Sequence, residues 1–361
     1  MAERFARGGR LIALGVTPQS RSDARHVAVE FVHPVIVGKR ALPAIGLTLE
    51  GGELSRQVDL VAEAGDIAIA HDAERETVVA LALARGRGCL TIAFDAGTGA
   101  EYELVPATGD PFVDQEIAET AYHVLWELCH VFFDHRGLLG GRDQRRTHDS
   151  GASSFLYPFL SESQDDLEAV LEDVRRSVVL KAEEVGKLRE QVLVEGRATL
   201  EAAAAALCSA FEGGGTLLVL GNGGSATDAI DVVADFRAAP QGWPARRAID
   251  LTEDVAIITA IANDIGPAAI FARQVIAYGR SGDALLALST SGGSENVIEA
   301  LAEARRRELV TVAMVGYDGG RIAAEQLADH VLVVGSENIP RIQEAQATAY
   351  HALRELVELA G

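Results

Sequence analysis

The chain has 361 residues, of which 48% are hydrophobic and 24% charged, a composition typical of a globular protein with room for two domains. A net charge of −21 and the lack of any long basic run exclude nucleic acid from the expected partners, whereas local backbone donors can still bind an anionic small molecule. Three isolated cysteines and the lack of any run of 18 apolar residues predict a cytoplasmic protein with no membrane segment.

The first half of the sequence alternates between short apolar runs and segments with helical periodicity. The apolar runs end in turn residues and are typical of buried parallel strands. They are RLIALG (10–15), AIGLT (44–48), DIAIA (66–70) and CLTIAF (89–94). Helices are predicted at 76–86 and near 113–134. This alternation predicts a doubly wound α/β sheet.

A polar segment separates the two halves. Residues 135–162 are rich in Gly, Ser and charge, and we predict a linker there. The predicted domains are therefore 1–134 and 163–361. From Ser163 to Glu212 the apolar spacing predicts two leading helices that have no counterpart in the first half.

The second half repeats the first. The matching blocks are GGRLIALG (8–15) with GGTLLVLG (214–221), SDARHVAVEF (22–31) with TDAIDVVADF (227–236), and QEIAETAYH (115–123) with QEAQATAYH (343–351). The offset is constant within a block and changes only between blocks, as insertions in loops require. The repeat predicts two tandem doubly wound α/β domains of the flavodoxin-like, three-layer kind, the second ending in a helix near 340–359.

Two glycine-rich turns follow predicted strands of the second half. In VLGNGGSATDA (219–229), Gly223 and Gly224 permit backbone angles closed to other residues, and Ser225 adds a hydroxyl at a helix N-terminus. The second turn, in ALSTSGGSENVIEA (287–300), offers the hydroxyls of Ser289, Thr290, Ser291 and Ser294. Either turn alone also fits a plain strand-to-helix connection. Because both lie where ligands bind in such sheets, together they predict a phosphate site.

These turns, with NDIG (263–266) and RIQEAQATAYH (341–351), resemble the sugar isomerase (SIS) domain, in its phosphoheptose isomerase branch. The resemblance covers 163–361 and extends to 8–134 as a diverged copy. It implies an enzyme that interconverts sedoheptulose 7-phosphate and an aldose heptose 7-phosphate. The implied phosphate- and substrate-binding residues are Asn222, Gly223, Gly224, Ser225, Asp264, Ser289, Thr290, Ser291, Ser294, Gln343 and His351.

The resemblance also implies a zinc site, made by a His, a Glu four residues later, and a Gln and a His eight apart on the last helix. The first half matches all four positions, with His26, Glu30, Gln115 and His123. In the second half Asp231 and Asp235 replace the His and the Glu, while Gln343 and His351 are kept. Loss of one imidazole weakens selectivity for zinc. The expected metal site is therefore the first-half set.

The loops of the first half show the opposite pattern. Residues 15–23 replace the first glycine-rich turn and carry Pro18 where the pattern has glycine. Residues 70–78 replace the serine loop with Asp72, Glu74 and Glu76, whose charges oppose a phosphate. These observations suggest a division of labour. The hypothesis is that the first half supplies metal and acid–base groups, the second supplies the phosphate loops, and one site forms where halves meet, within a chain or between two.

The resemblance implies isomerisation through an enediol, in which a base takes the proton beside the carbonyl and an acid serves the oxygen. Glu30 is then the candidate base and His123 the acid, while His26 and Gln115 hold the metal or orient the sugar. Zinc would polarise the carbonyl, although a metal-bound residue is a poorer base. The alternative for His26 and Glu30 is an ordinary polar pair on one helix face.

Two other functions stay open at this point. The chain is either an isomerase of a different ketose phosphate or a non-catalytic SIS protein, such as a sugar-phosphate sensor or a protein-binding scaffold. Asp231 and Asp235 favour the non-catalytic reading, and the complete set in the first half favours the enzyme. The expected ligand is a small sugar phosphate in each case. Because the family assembles four single domains, the resemblance implies a homodimer of this two-domain chain.

Overall fold

The structure is a computed structural model that describes residues 1–34, 39–134, 167–240 and 242–360. It divides into two compact units, residues 1–184 (unit 1) and 185–361 (unit 2). The predicted linker at 135–162 lies outside the described residues, so the domain limits given above stay a prediction. Within the described ranges, no helix combines the length and the hydropathy that a membrane crossing requires.

Unit 1 is built on a five-stranded parallel sheet in the order β2-β1-β3-β4-β5. Its strands are β1 (Leu11–Leu14), β2 (Ala44–Leu47), β3 (Ile67–Ala70), β4 (Leu90–Ala93) and β5 (Tyr102–Glu103). Its helices are α1 (Ala2–Ala6), α2 (Pro18–Val32), α3 (Leu54–Val61), α4 (Arg75–Gly86) and α5 (Pro111–Asp134). A long helix, α6 (Leu167–Glu195), begins in unit 1 and runs past its last residue.

Unit 2 has a second five-stranded parallel sheet, in the order β7-β6-β8-β9-β10. Its strands are β6 (Leu217–Leu220), β7 (Ala248–Asp250), β8 (Ala284–Ser289), β9 (Val310–Gly316) and β10 (His330–Val334). Its helices are α7 (Arg197–Glu212), α8 (Gly224–Arg237), α9 (Val255–Asp264), α10 (Ile270–Tyr278), α11 (Glu295–Arg306), α12 (Gly320–Ala324) and α13 (Ile339–Ala360).

The two units repeat the same topology. In each, the first strand pairs with the second on one side and the third on the other, and the fourth and fifth follow outward. Gly15 and Gly221 end the first strands. A Cβ on either would lie 2.1 Å from the backbone oxygen of Ser20 or Ser225, so only glycine fits. The predicted fold class, two tandem doubly wound α/β domains, is confirmed.

The central strands are buried on both faces because helices cover both sides of each sheet. Every residue of β1 and of β6 is fully buried. Successive side chains of β1 point to opposite faces: Leu11 packs in the cluster that contains Phe31 of α2 and Trp126 of α5, while Ile12 packs on the other face. The helices α2 and α5 therefore cover the same face of the sheet in unit 1, and they carry the candidate site residues.

Candidate active site

Helix α2 begins where the sequence departs from the glycine-rich pattern. Thr17 is the N-cap, and its side-chain oxygen accepts a hydrogen bond from the amide of Ser20 at 3.1 Å. Pro18 is the first helical residue, where a fixed φ is favourable and no amide hydrogen is required. The loop that lost its glycines thus became an ordinary capped helix start. From there α2 presents His26 and Glu30 towards α5.

The structure brings together three of the four first-half residues expected at the metal. His26 and Glu30 lie on α2 and His123 on α5, and all three are at most 3% exposed. The Nε2 atoms of His26 and His123 are 3.3 Å apart, and His26 Nε2 lies 3.9 Å from Glu30 Oε1. The fourth residue, Gln115, lies two turns before His123 on α5 and is partly buried.

A further carboxylate, from Glu119, lies in the same cluster and was not expected from the sequence. One donor atom each from His26, Glu119 and His123 lie within 4.8 Å of one another, and Glu119 is 4% exposed. Glu119 is one helical turn after Gln115 and one turn before His123, so the three share a face of α5. The i, i+4, i+8 spacing was the available signal for it.

Burial sets the electrostatics of this cluster. It lowers the pKa of His26 well below 6.5, and the nearby imidazoles of His123 and His71 lower it further. Burial raises the pKa of Glu30 from 4.5 to about 7, against the opposing effect of His123. The His26 imidazole is therefore neutral at neutral pH, which is the form that binds a metal. Buried imidazoles with carboxylates fit a divalent cation such as zinc.

Aromatic side chains hold the cluster in place. The Trp126 indole donates a hydrogen bond to the backbone oxygen of Glu30 at 2.7 Å, which ties α5 to α2. The Tyr122 ring packs at 5.1 Å on His123 and 5.4 Å on His26, measured between ring centroids. His71, directly after β3, packs edge-on against Tyr122. The two helices are thus fixed to each other beside the functional side chains.

Another imidazole, that of His71, lies next to this cluster. His71 is partly exposed as a residue, but both of its ring nitrogens are buried and have no hydrogen-bond partner among the residues that the structure describes. Burial lowers its pKa to about 3, so it is neutral. The sequence signal for it was its place at the carboxyl end of a buried strand.

Asp72 explains why unit 1 lacks a phosphate loop. Its Oδ2 accepts a hydrogen bond from the amide of Val16 at 2.8 Å and from the amide of Thr17 at 3.4 Å, and also from the hydroxyl of Ser20. These donors surround the N-terminus of α2, where an anion would bind. They hold the pKa of the buried carboxyl below its usual 3.8 despite burial. The side chain of Asp72 itself occupies this anion position.

In unit 2 the two glycine-rich turns lie side by side. Asn222, in the turn between β6 and α8, exchanges two amide hydrogen bonds with Asn296 of α11, at 2.9 and 3.0 Å. Gly223 has φ 58°, a left-handed conformation that favours glycine, and Gly224 is the first residue of α8. Ser225 is buried in the first turn of that helix. No sequence pattern pointed to Asn296, whose side chain joins α11 to the first turn.

In the serine loop (289–294), two serine hydroxyls accept hydrogen bonds from backbone amides of the same loop. The Ser289 hydroxyl accepts a hydrogen bond from the amide of Gly292 at 3.2 Å, and the Ser291 hydroxyl from the amide of Gly293 at 3.3 Å. Ser291 is exposed, Thr290 and Ser294 are partly exposed, and Ser294 is the N-cap of α11. Exposed hydroxyls beside a helix N-terminus suit an anion.

The remaining predicted residues of unit 2 lie elsewhere. Asp264 is exposed at the end of α9 and accepts a hydrogen bond from the Asn263 amide at 2.8 Å. Gln343 and His351 are buried on α13. His351 Nε2 lies 3.7 Å from Asp231 Oδ2 and 3.6 Å from Asp235 Oδ2.

The structure thus places His351 with the two aspartates of α8. Asp231, Asp235 and His351 are a second group whose spacing suits a cation. The hydroxyl of Tyr350 donates to Asp231 Oδ2 at 2.8 Å. The Nε atom of Arg354 donates to the backbone oxygen of Asp235 at 3.1 Å. That last contact occupies the place that the Trp126 contact has in unit 1, with a different side chain.

Known proteins share both the sequence and the fold of this chain. A family model described as the SIS domain matches residues 182–316. The phosphoheptose isomerase of Thermodesulfovibrio yellowstonii is 41% identical over 177 residues, which are 49% of this chain and 87% of that protein. The phosphoheptose isomerase of Geobacter sulfurreducens is 46% identical over 156 residues, which are 42% of this chain and 80% of that protein.

A solved structure extends the likeness of fold to both units. The C-terminal domain of glucosamine-fructose-6-phosphate aminotransferase from Francisella tularensis aligns with 99% of this chain and 86% of its own, at a TM-score of 0.63. At 10% identity this likeness concerns the fold alone. The two phosphoheptose isomerases are matched by this chain over most of their length, so they identify the family more specifically than the likeness of fold does. The chain belongs to the SIS domain family, in its phosphoheptose isomerase branch.

Proposed function

We propose that the chain is an aldose–ketose isomerase of a sugar phosphate, with sedoheptulose 7-phosphate and an aldose heptose 7-phosphate as its substrate pair. The phosphoheptose isomerases that match about half of the chain support this reaction. The observation that carries the proposal is the buried cluster of His26, His123 and Glu30, because it joins a base to cation ligands in one place.

Glu30 is the proposed base. It takes the proton from the carbon beside the carbonyl and returns it to the neighbouring carbon, which converts ketose to aldose through an enediol. A carboxyl whose pKa burial raises to about 7 is matched to that task, since it accepts and releases a proton near neutral pH. His123 is the proposed acid, which donates a proton to the carbonyl oxygen of the sugar.

A divalent cation, with zinc as the first choice, would be held by the imidazoles of His26 and His123 together with Gln115 and a carboxylate. When bound, the cation polarises the carbonyl and stabilises the negative charge of the enediolate. Burial keeps bulk water away from the cluster and strengthens each electrostatic contact within it.

The proposal assigns the phosphate to unit 2. The turns at 222–225 and 289–294 supply backbone amides, hydroxyls and two helix N-termini. In unit 1 the Asp72 carboxylate fills the corresponding anion position. Asp264 and Gln343 stay candidates for contacts with the sugar. The joint use of both units in one site stays a prediction.

The experiment that tests the proposal separates turnover from phosphate binding. Glu30→Gln and His123→Ala should abolish isomerisation of sedoheptulose 7-phosphate, followed by NMR, and should leave the affinity for the sugar phosphate within about threefold. Ser291→Ala should weaken that affinity first. Turnover near the wild-type rate in Glu30→Gln and His123→Ala would refute the proposal. A panel of other ketose phosphates decides the substrate.

A non-catalytic sugar-phosphate sensor is the second candidate, and one observation favours it. In unit 2, which carries the phosphate loops, Asp231 and Asp235 replace an imidazole and a longer carboxylate. A sensor would bind the sugar phosphate without turnover and would need no bound zinc. Binding of the sugar phosphate to wild-type protein with no conversion over hours would favour this candidate.

A homodimer is the proposed assembly. Helix α9 has the apolar sequence VAIITAIAND, yet none of its residues is buried in the chain. A strongly apolar helix left exposed is typical of a protein–protein contact.

The predicted cytoplasmic location stays a prediction.

A further inference from the structure

In unit 1 the carboxylate that faces the two imidazoles belongs to Glu119. His26, Glu119 and His123 each offer one donor atom, and the three atoms lie within 4.8 Å of one another. That group does not include Glu30, whose Oε1 is 3.9 Å from His26 Nε2. All three members are at most 4% exposed. Two imidazoles and one carboxylate converging in a buried space form a typical set of cation ligands.

Helix geometry supports this arrangement. Glu119 is four residues before His123, so their side chains lie on one face of α5, one turn apart. The Trp126 contact to the backbone of Glu30 fixes α5 against α2 one turn further along. The position of Glu119 relative to His26 is therefore set by packing between two long helices and does not depend on a loop.

The two units take their carboxylates from different helices: unit 1 from α5, and unit 2 from α8. The position of Glu119 is Ala347 in unit 2, which has no donor atom. There the cluster takes both carboxylates, Asp231 and Asp235, from α8 and only His351 from α13. In unit 1, α2 supplies an imidazole and α5 supplies an imidazole and a carboxylate. Each unit thus collects three donors, but from different positions.

We infer that Glu119, with His26 and His123, holds the divalent cation of unit 1, and that Glu30 is left outside the coordination and free to take the substrate proton. A carboxylate bound to a dication is a weak base, because the positive charge stabilises its ionised form. Separate residues for the two tasks remove that conflict. The role of Glu30 rests on the proposed isomerase, whereas the role of Glu119 does not.

The test measures zinc affinity in the full chain by competition with a chromophoric chelator. All variants carry Asp231→Asn and Asp235→Asn, which remove both charged carboxylates from the cluster of unit 2. Glu119→Ala, which gives unit 1 the residue of unit 2, should weaken zinc binding by more than about 100-fold. Glu119→Gln keeps the size of the side chain and guards against misfolding; it should also weaken binding, by at least about 10-fold. Glu30→Gln is the matched control and should bind zinc within about threefold of its parent while losing turnover.

Three results would overturn the inference. The first is an unchanged zinc affinity in a folded Glu119→Gln or Glu119→Ala protein. The second is a zinc affinity that falls in Glu30→Gln as much as in the Glu119 variants. The third is a parent protein that binds no zinc. Failure of the proposed function looks different: the zinc pattern holds, but the wild-type chain converts no sugar phosphate. Cobalt substitution adds a second readout, since loss of one ligand from Glu119→Ala should change the visible absorption spectrum of the bound ion, and an unchanged spectrum would contradict the ligand role.

Discussion

The ionisable side chain of Glu30 is buried, so its contribution to the free energy of unfolding depends on pH. Burial raises its pKa from 4.5 to about 7. Between these values the folded chain keeps a proton that the unfolded chain has released, so the free energy of unfolding falls as pH rises. In protein freed of metal, this residue alone should remove up to about 3 kcal/mol between pH 4.5 and 7.

Urea unfolding of chelator-treated protein at pH 5 and pH 8 measures this effect. His26 acts in the opposite sense, because its lowered pKa makes the folded chain bind fewer protons than the unfolded chain below about pH 6.5. The informative quantity is therefore the difference in the free energy of unfolding between wild type and Glu30→Gln at each pH. The variant should be stabilised relative to wild type at pH 8 and much less so at pH 5. Equal differences at both values would contradict the raised pKa.

At the scale of residues, the sequence predicted part of the candidate site. The resemblance to the SIS domain pointed to His26, Glu30 and His123, which the fold brings together. Glu119 was missed because its match in the second half is alanine, so comparison of the two halves could not select it. His71 was missed since its role depends on which strand end lies next to Tyr122.

At the scale of elements, Asp72 connects the end of β3 to the start of α2. Its carboxylate accepts hydrogen bonds from Val16, Thr17 and Ser20 and, at 3.1 Å, from the amide of Glu74. Asp72→Ala leaves these donors without their charged acceptor and should lower the free energy of unfolding by about 2–4 kcal/mol. Because the pKa of Asp72 is lowered, the stabilisation is present at neutral pH and lost in acid.

Thermal and urea unfolding of Asp72→Ala check this prediction. Glu74→Gln is the matched control, since Glu74 is an exposed carboxylate in the same loop, and it should change stability by less than about 0.5 kcal/mol. Zinc affinity should also fall in Asp72→Ala, because the start of α2 positions His26 two turns later. A variant as stable as wild type would show that the carboxylate does not hold this helix.

The elements themselves were predictable because their signals are local. Buried parallel strands read as short apolar runs, and β1, β3 and β4 lie within the runs seen in the sequence. The contacts of Asp72 with Val16, Thr17 and Ser20, like that of Asn222 with Asn296, join segments 52 or more residues apart in the chain. A local pattern cannot report such pairs. The sequence predicted that acidic residues oppose a phosphate in unit 1, but not that one of them takes its place.

The two units keep one topology and differ in chemistry. Unit 1 pairs imidazoles with carboxylates and fills its own anion position. Unit 2 keeps glycine-rich turns with exposed hydroxyls and places two aspartates beside one imidazole. A duplicated fold allows this, because the sheet and its helices keep their packing while site residues change.

The exposed apolar helix α9 leads to a prediction about assembly. Val255 at its start is 68% exposed and Ile265 directly after it is 57% exposed, so aspartate at both positions should leave the folded chain intact. In a two-fold dimer each substitution counts twice. Burial of Val or Ile contributes about 1.5–3 kcal/mol per side chain, and each 1.4 kcal/mol is a factor of ten in affinity.

Light scattering after size exclusion measures the assembly. The wild-type protein should have twice the 38.2 kDa mass of one chain, and the Val255→Asp, Ile265→Asp double variant should have the mass of one chain. Leu60→Asp is the matched control, because Leu60 on α3 is 84% exposed and belongs to no such apolar helix. It should stay dimeric. A double variant that keeps the wild-type mass, or a wild-type chain that is monomeric at micromolar concentration, would remove α9 from the interface, because a contact of that apolar area cannot tolerate four buried charges.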